Sequence, residues 1–181
     1  YALPQTVFTL KEIALILGVK DVDNLKSRIN YFVRKGDLIP LRRGIYAKNS
    51  EYNPFELATK IFTPAYISLE TVLRKEGVIF QYYEKIFIIS YQTREIEADG
   101  HVFSFRKIKT DILLNSMGMV SEEGVSMASK ERAFLDILYL NTNYYFDNLR
   151  FMDWEKIREM VPMYGSQSLT ERIKEDEHKS A

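Results

Sequence analysis

Two groups of side chains in this 181-residue sequence have types and spacings that could do chemistry. The first is Lys20, Asn24, Ser27, Arg28, Tyr31 and Arg34, followed by Arg42 and Arg43. At 100° per residue, Asp23, Ser27, Asn30, Tyr31 and Arg34 share one face of a helix, with Lys20, Asn24 and Arg28 on its flank. Leu25, Ile29 and Phe32 take the opposite face. An Asn side chain pairs bidentately with adenine and an Arg with guanine in a major groove. Arg42 and Arg43 fall in a short turn, from which they would reach adjacent phosphates or the minor groove. These eight residues form a candidate binding set for double-stranded DNA. The alternative is a solvated helix face and a solvated turn, and any one of the eight alone fits that better. The ordered set favours DNA.

The second group is Glu95, Glu97, Asp99 and His101, which alternate as ligands on one face of a strand would. Asp99-Gly100 is a type I′ turn signal, so 94–108 reads as a hairpin. That register sets Ile96 opposite Phe103 and Arg94 opposite Phe105, which claims the inner face for apolar side chains. Glu95 and Glu97 are left on the outer face, and Asp99 is used by the turn. A solvated acidic sheet face is the expectation; a metal site and a protein-binding strip are the alternatives. Arg132 and Asp136, four apart on an apolar helix, are expected to pair structurally.

Other chemistry lacks its residues. There is no Cys, which removes disulfides, thiolate zinc sites and cysteine nucleophiles, and His101 and His178 are the only histidines. There is no GxSxG, phosphate-binding glycine loop or HExxH. Gly165-Ser166 is not followed by the paired aspartates of a nucleotidyltransferase, and Glu84-Lys85 and Glu131 do not make the pattern of a PD-(D/E)xK nuclease. No catalytic constellation, metal site or cofactor is expected.

The elements that must position the first group are legible around it. Thr9 and Glu12 make a capping box ahead of Leu10, Ile13, Ala14 and Leu17, and Gly18 stops that helix. Asp21 caps a second helix with the stripe Leu25, Ile29, Phe32 and Val33, closed by Gly36. Leu38–Leu41, Arg42-Arg43-Gly44 and Ile45–Ala47 read as a hairpin with a basic tip. Helix, turn, helix and basic hairpin is the order of a winged helix-turn-helix. Residues 1–6 are too short for the further helix that precedes a complete one, and the chain opens on Tyr1, so an upstream segment is expected.

Charge follows the same division. Formal net charge is zero, but residues 1–48 carry nine basic and four acidic side chains, and the remainder carries 16 and 21. A basic head on an acidic body suits a head that meets a polyanion. In the body, helices are expected from Pro54, from Ser68 to Gly77, from Ser129, over 154–160 and from Ser168, with a buried strand at 85–91. The acidic stretch 175–179 is expected to fray. The fold expected is α+β: a winged helix-turn-helix over 1–50 and a mixed helix and antiparallel-sheet domain over 51–181. The apolar fraction of 46% suits a packed core, and no run is long enough to span a bilayer.

The segments FTLKEIALILGV (8–19), LKSRINYFVRKGDLIPLRRGIYA (25–47), the helix from Ser68 to Gly77 and ASKERAFLDILYL (128–140) resemble the AbiEi-type antitoxin family. These are transcriptional regulators of bacterial abortive-infection toxin–antitoxin systems. The most specific pieces are the Lys-Gly-x-Leu-Ile-x-Leu-x-Arg-Gly-x-Tyr run at 35–46 and the Ser-x-Glu-Arg-Ala-x-Leu-Asp run at 129–136. The resemblance implies a winged helix that represses its own promoter by binding inverted repeats, as a dimer or cooperative pair. It also implies a body linked to neutralising a nucleotidyltransferase-type toxin, and a cytoplasmic location. The alternatives are a protein-interaction module that does not bind DNA and a metal-dependent nuclease using the acidic strip.

Overall fold

A computed structural model describes residues 4–180, and it divides their strands between two sheets. The first sheet comes from the N-terminal quarter. β1 (Val7–Thr9) leads into α1 (Leu10–Leu17) and α2 (Val22–Lys35), and the hairpin β2 (Ile39–Arg42) and β3 (Ile45–Ala47) follows. The sheet order is β1-β3-β2, antiparallel throughout. β1 was not legible: three residues are too few to show an alternation, and pairing with β3 alone makes them a strand.

The capping signals act as the sequence implies. The Thr9 hydroxyl accepts from the Glu12 amide and the Glu12 carboxylate from the Thr9 amide, closing the box at the start of α1. Asp21 accepts from the Asp23 and Asn24 amides. Gly18 and Gly36 end α1 and α2 at φ 64° and 83°, the left-handed region where a side chain is strained.

The body continues with α3 (Pro54–Ile61), β4 (Ala65–Ile67), α4 (Leu69–Lys75), β5 (Lys85–Ser90), β6 (Arg94–Ala98) and β7 (His101–Lys107). Then come α5 (Thr110–Leu113), β8 (Met119–Glu122), β9 (Val125–Ala128), α6 (Lys130–Leu140), α7 (Trp154–Met160), a 3-10 turn at Val161–Tyr164 and α8 (Gln167–Ser180). Its six strands lie in the order β6-β7-β5-β4-β9-β8.

This sheet is mixed, not antiparallel as expected. β7 folds back between β6 and β5 and runs parallel to β5, and β4 meets β9 in parallel at Ile67 and Met127. The β6–β7 hairpin has the expected register, Ile96 on Phe103 and Arg94 on Phe105. Asp99 and Gly100 take φ 48° and 76° at its turn. β4, α5, β8 and β9 carry no sequence signal of their own.

Two expected caps differ. Ser68 precedes α4 but makes no cap bond; its hydroxyl donates to Asp136 instead. The last helix is capped by Ser166, whose hydroxyl accepts from the Leu169 amide. α8 is helical through 175–179, and Glu177 pairs with Arg158 of α7.

The described residues form two cores. A small one joins Phe8, Ile13, Leu25 and Ile29, with Leu17, Val33 and Leu38 packed on it. The main core includes Leu57, Leu73, Ile88, Phe103, Phe105, Phe134 and Leu135, and it also takes in Val7, Leu41, Ile45 and Ala47 of the first sheet. That sheet therefore packs one face on its own helices and the other on the body. Among the described residues no helix is long and apolar enough to cross a membrane.

Candidate nucleic-acid interface

α2 is oriented by its buried stripe. Leu25 and Ile29 lie in the small core, which turns Asn24, Ser27, Arg28, Tyr31 and Arg34 to solvent. Lys20, in the turn between α1 and α2, is exposed beside them. Phe32, expected on the inner face, is only half buried and lies edge-on to Tyr31 instead of in the core, whereas Val33 does pack there. With Ile29 and Val33 on the stripe, Phe32 is rotated 100° away from Val33 and reaches the rim.

The hairpin ends beside the start of α1. Arg42 is the last residue of β2 and Arg43-Gly44 the turn, with Gly44 at φ 78°. The Leu10 amide donates to the Gly44 carbonyl at 2.9 Å, fixing the tip against the first turn of α1. Arg42 and Arg43 are both exposed. Lys11, on the first turn of α1, is exposed as well and lines the same open groove as Arg42 and Arg43. Sequence reading missed it. The signal was available: the capping box fixes where α1 starts, and Leu10 pairing to the turn brings Lys11 beside it.

The electrostatics of the head separate two kinds of cation. Lys26 pairs with Asp23 at 3.5 Å, and Lys35 with Asp37 at 3.1 Å. Lys11, Lys20, Arg28, Arg34, Arg42 and Arg43 have no acidic partner among the described residues. Exposed, unpaired guanidinium and ammonium groups make a field that attracts polyanions. They also keep their donors available for phosphate and base edges.

The other two groups take different roles. Lys85 pairs with Glu95 at 2.6 Å, Asp99 accepts from the Tyr52 hydroxyl at 2.6 Å, and His101 lies edge-on to the Tyr52 ring. Among the described residues no group of three or more His, Asp or Glu is placed to hold a metal ion.

Arg132 and Asp136 are fully buried, Nε to Oδ1 at 3.6 Å. Asp136 accepts from the hydroxyls of Tyr66 (3.0 Å), Ser68 (2.8 Å) and Tyr164 (2.7 Å). Arg132 donates to the carbonyls of Ile112, Asn115 and Met117, tying the end of α5 and the segment after it to α6. Burial pushes the Asp136 carboxyl above the usual carboxylate range, and Arg132 and the three hydroxyls pull it part of the way back. With Tyr66, Ser68 and Tyr164 also at 2% exposure or less, this is a polar clasp inside the core, closed to a substrate.

Residues 5–47 match the family model of the transcriptional regulator, AbiEi antitoxin. The match runs from just before β1 to the end of β3, so the resemblance read from the sequence holds over this part of the chain; the run at 129–136 lies outside it. No curated protein sequence matches the chain at a significant level.

Proposed function

We propose that the chain is a DNA-binding transcriptional regulator and the autorepressing antitoxin of an abortive-infection operon, acting in the cytoplasm. α2 enters the major groove with Asn24, Ser27, Arg28 and Tyr31 facing base edges. Lys11, Lys20, Arg34, Arg42 and Arg43 hold the backbone, and bound protein excludes polymerase from the promoter. Two copies meeting an inverted repeat, as a dimer or cooperatively, give the site its length. The body is the part linked to a nucleotidyltransferase-type toxin. The observations that carry this reading are an exposed recognition-type face on α2, and exposed cations without acidic partners on the turn before it, on α2 itself and at the hairpin tip. The match over residues 5–47 supports it independently.

The division of roles is tested by binding titrations of three variants against the protein's own promoter and against random DNA. Arg43→Ala is expected to weaken both alike, as loss of a phosphate contact does. Asn24→Ala and Ser27→Ala are expected to weaken promoter binding by roughly 1–3 kcal/mol and leave random DNA nearly unchanged. Equal losses on both DNAs for all three would refute it.

A further inference from the structure

β1 is an edge strand of the head's sheet, and its free edge is closed by a carboxylate from the body. The Val7 amide, itself buried, donates to Glu56 Oε2 at 2.7 Å. The Thr6 amide donates to both Glu56 oxygens, at 2.9 and 3.2 Å. Glu56 stands on the first turn of α3 and is buried. One turn on, Lys60 reaches back to Glu12 Oε1 at 2.5 Å, and Glu12 is the residue that closes the capping box of α1. The Asn53 amide adds a bond to the Thr6 hydroxyl at 2.9 Å. α3 therefore grips the head twice, at the strand entering α1 and at the α1 cap.

This is more chemistry than packing requires. An apolar residue at 56 would cover Val7 but leave its buried amide, and the half-buried Thr6 amide, without that acceptor. β1, α1 and α2 share the Phe8, Ile13, Leu25 and Ile29 core, so whatever fixes β1 and the α1 cap also fixes α2. We propose that Glu56 and Lys60 are positioning residues for DNA reading: from the body, they hold the attitude at which α2 is presented. This rests on the reading of the head as DNA-binding. Two copies on an inverted repeat then carry their recognition helices at a fixed separation, and the protein discriminates the spacing of half-sites as well as their sequence.

The test uses the full chain as wild type, Glu56→Gln, Lys60→Ala and Lys60→Arg. Each is titrated against promoter DNA, against promoter DNA with its half-sites moved apart by one or five base pairs, and against random DNA. Amide exchange over Thr6–Glu12 records the loosening. Glu56→Gln and Lys60→Ala are expected to exchange faster there. If the loosened head holds the competent attitude for a tenth to a fifth of the time, promoter affinity falls about five- to tenfold. The penalty for moved half-sites shrinks as well, and Lys60→Arg restores both. Faster exchange with unchanged affinity and spacing penalty would overturn the proposal. So would equal losses on promoter, respaced and random DNA, the mark of a head that has simply unfolded. Should Glu56→Gln fail to fold, the variants at the less deeply buried Lys60 decide. A wild-type protein that ignores promoter DNA would instead overturn the DNA reading itself, and this inference with it.

Discussion

Asp136→Asn keeps the shape of a fully buried side chain and removes its charge. The wild-type carboxylate accepts three hydroxyls and neutralises Arg132, whose guanidinium has no exposed surface. The variant leaves that cation in the core facing backbone carbonyls, and gives the Tyr66, Ser68 and Tyr164 hydroxyls one amide oxygen to share. Removing one partner of a buried ion pair costs about 3–5 kcal/mol. The carbonyls of Ile112, Asn115 and Met117 still solvate Arg132, which places the expected loss near the lower end, about 3 kcal/mol. For a chain of this size that lowers the Tm by roughly 6–12 °C. Urea unfolding followed by circular dichroism measures it. The midpoint should fall with no change in slope, because the same surface is exposed on unfolding. DNA affinity at 25 °C should stay at the wild-type value, since the clasp lies outside the head. A loss under about 1 kcal/mol would show that the pair contributes little to the fold, and the account of the 129–136 run as a core clasp would be wrong.

Three further outcomes follow from the same geometry. Gly118 has φ 71°, and a Cβ there would lie 2.5 Å from Met160 Sδ and 3.0 Å from Arg132 Cβ, so Gly118→Ala should destabilise by about 1–3 kcal/mol in thermal or urea melts. Burial opposes ionisation of Glu12, but hydrogen bonds from Lys60 and Thr9 more than offset it and hold its carboxyl below the usual range. Its stabilisation is thus complete above about pH 4.3, the ordinary glutamate value, and is lost as pH falls through the lower folded value. Amide exchange over α1 should rise across that acid window in the wild type, and the dependence should shrink in Lys60→Ala, where the Thr9 hydrogen bonds still favour the ionised carboxylate. Tyr31 is 60% exposed, so Tyr31→Ala should change stability by less than about 0.5 kcal/mol while weakening promoter binding in a titration.

What the sequence disclosed depended on how local each signal was. Capping boxes, left-handed glycines and helical stripes act within a few residues, and α1, α2, α3, α4, α6 and α7 begin and end close to where those signals stand. The β6–β7 register was equally local, fixed by a two-residue turn and the alternation around Ile96 and Phe103. Pairing partners distant in sequence were not legible. Nothing in Val7–Thr9 or Ala65–Ile67 marks a strand, and nothing in Arg94–Lys107 tells that β7 will lie parallel to β5. Site residues followed the same rule. The outward face of α2 came from periodicity, whereas Lys11 joins the surface only through the Leu10–Gly44 bond, and Glu56 holds β1 across 49 residues. Ser68 shows how a strong local signal loses to a distant one: a helix-capping residue gave up its cap for a buried carboxylate on α6.

The most direct test of the central claim is the salt dependence of binding to promoter DNA, with random DNA as competitor. One head engages phosphates through about four to six cations, which gives a log–log slope of roughly −4 to −5, near twice that for two heads. The account predicts a specific complex with a slope in that range. Affinity that does not change between low and moderate salt, or no preference for promoter over random DNA, would contradict it.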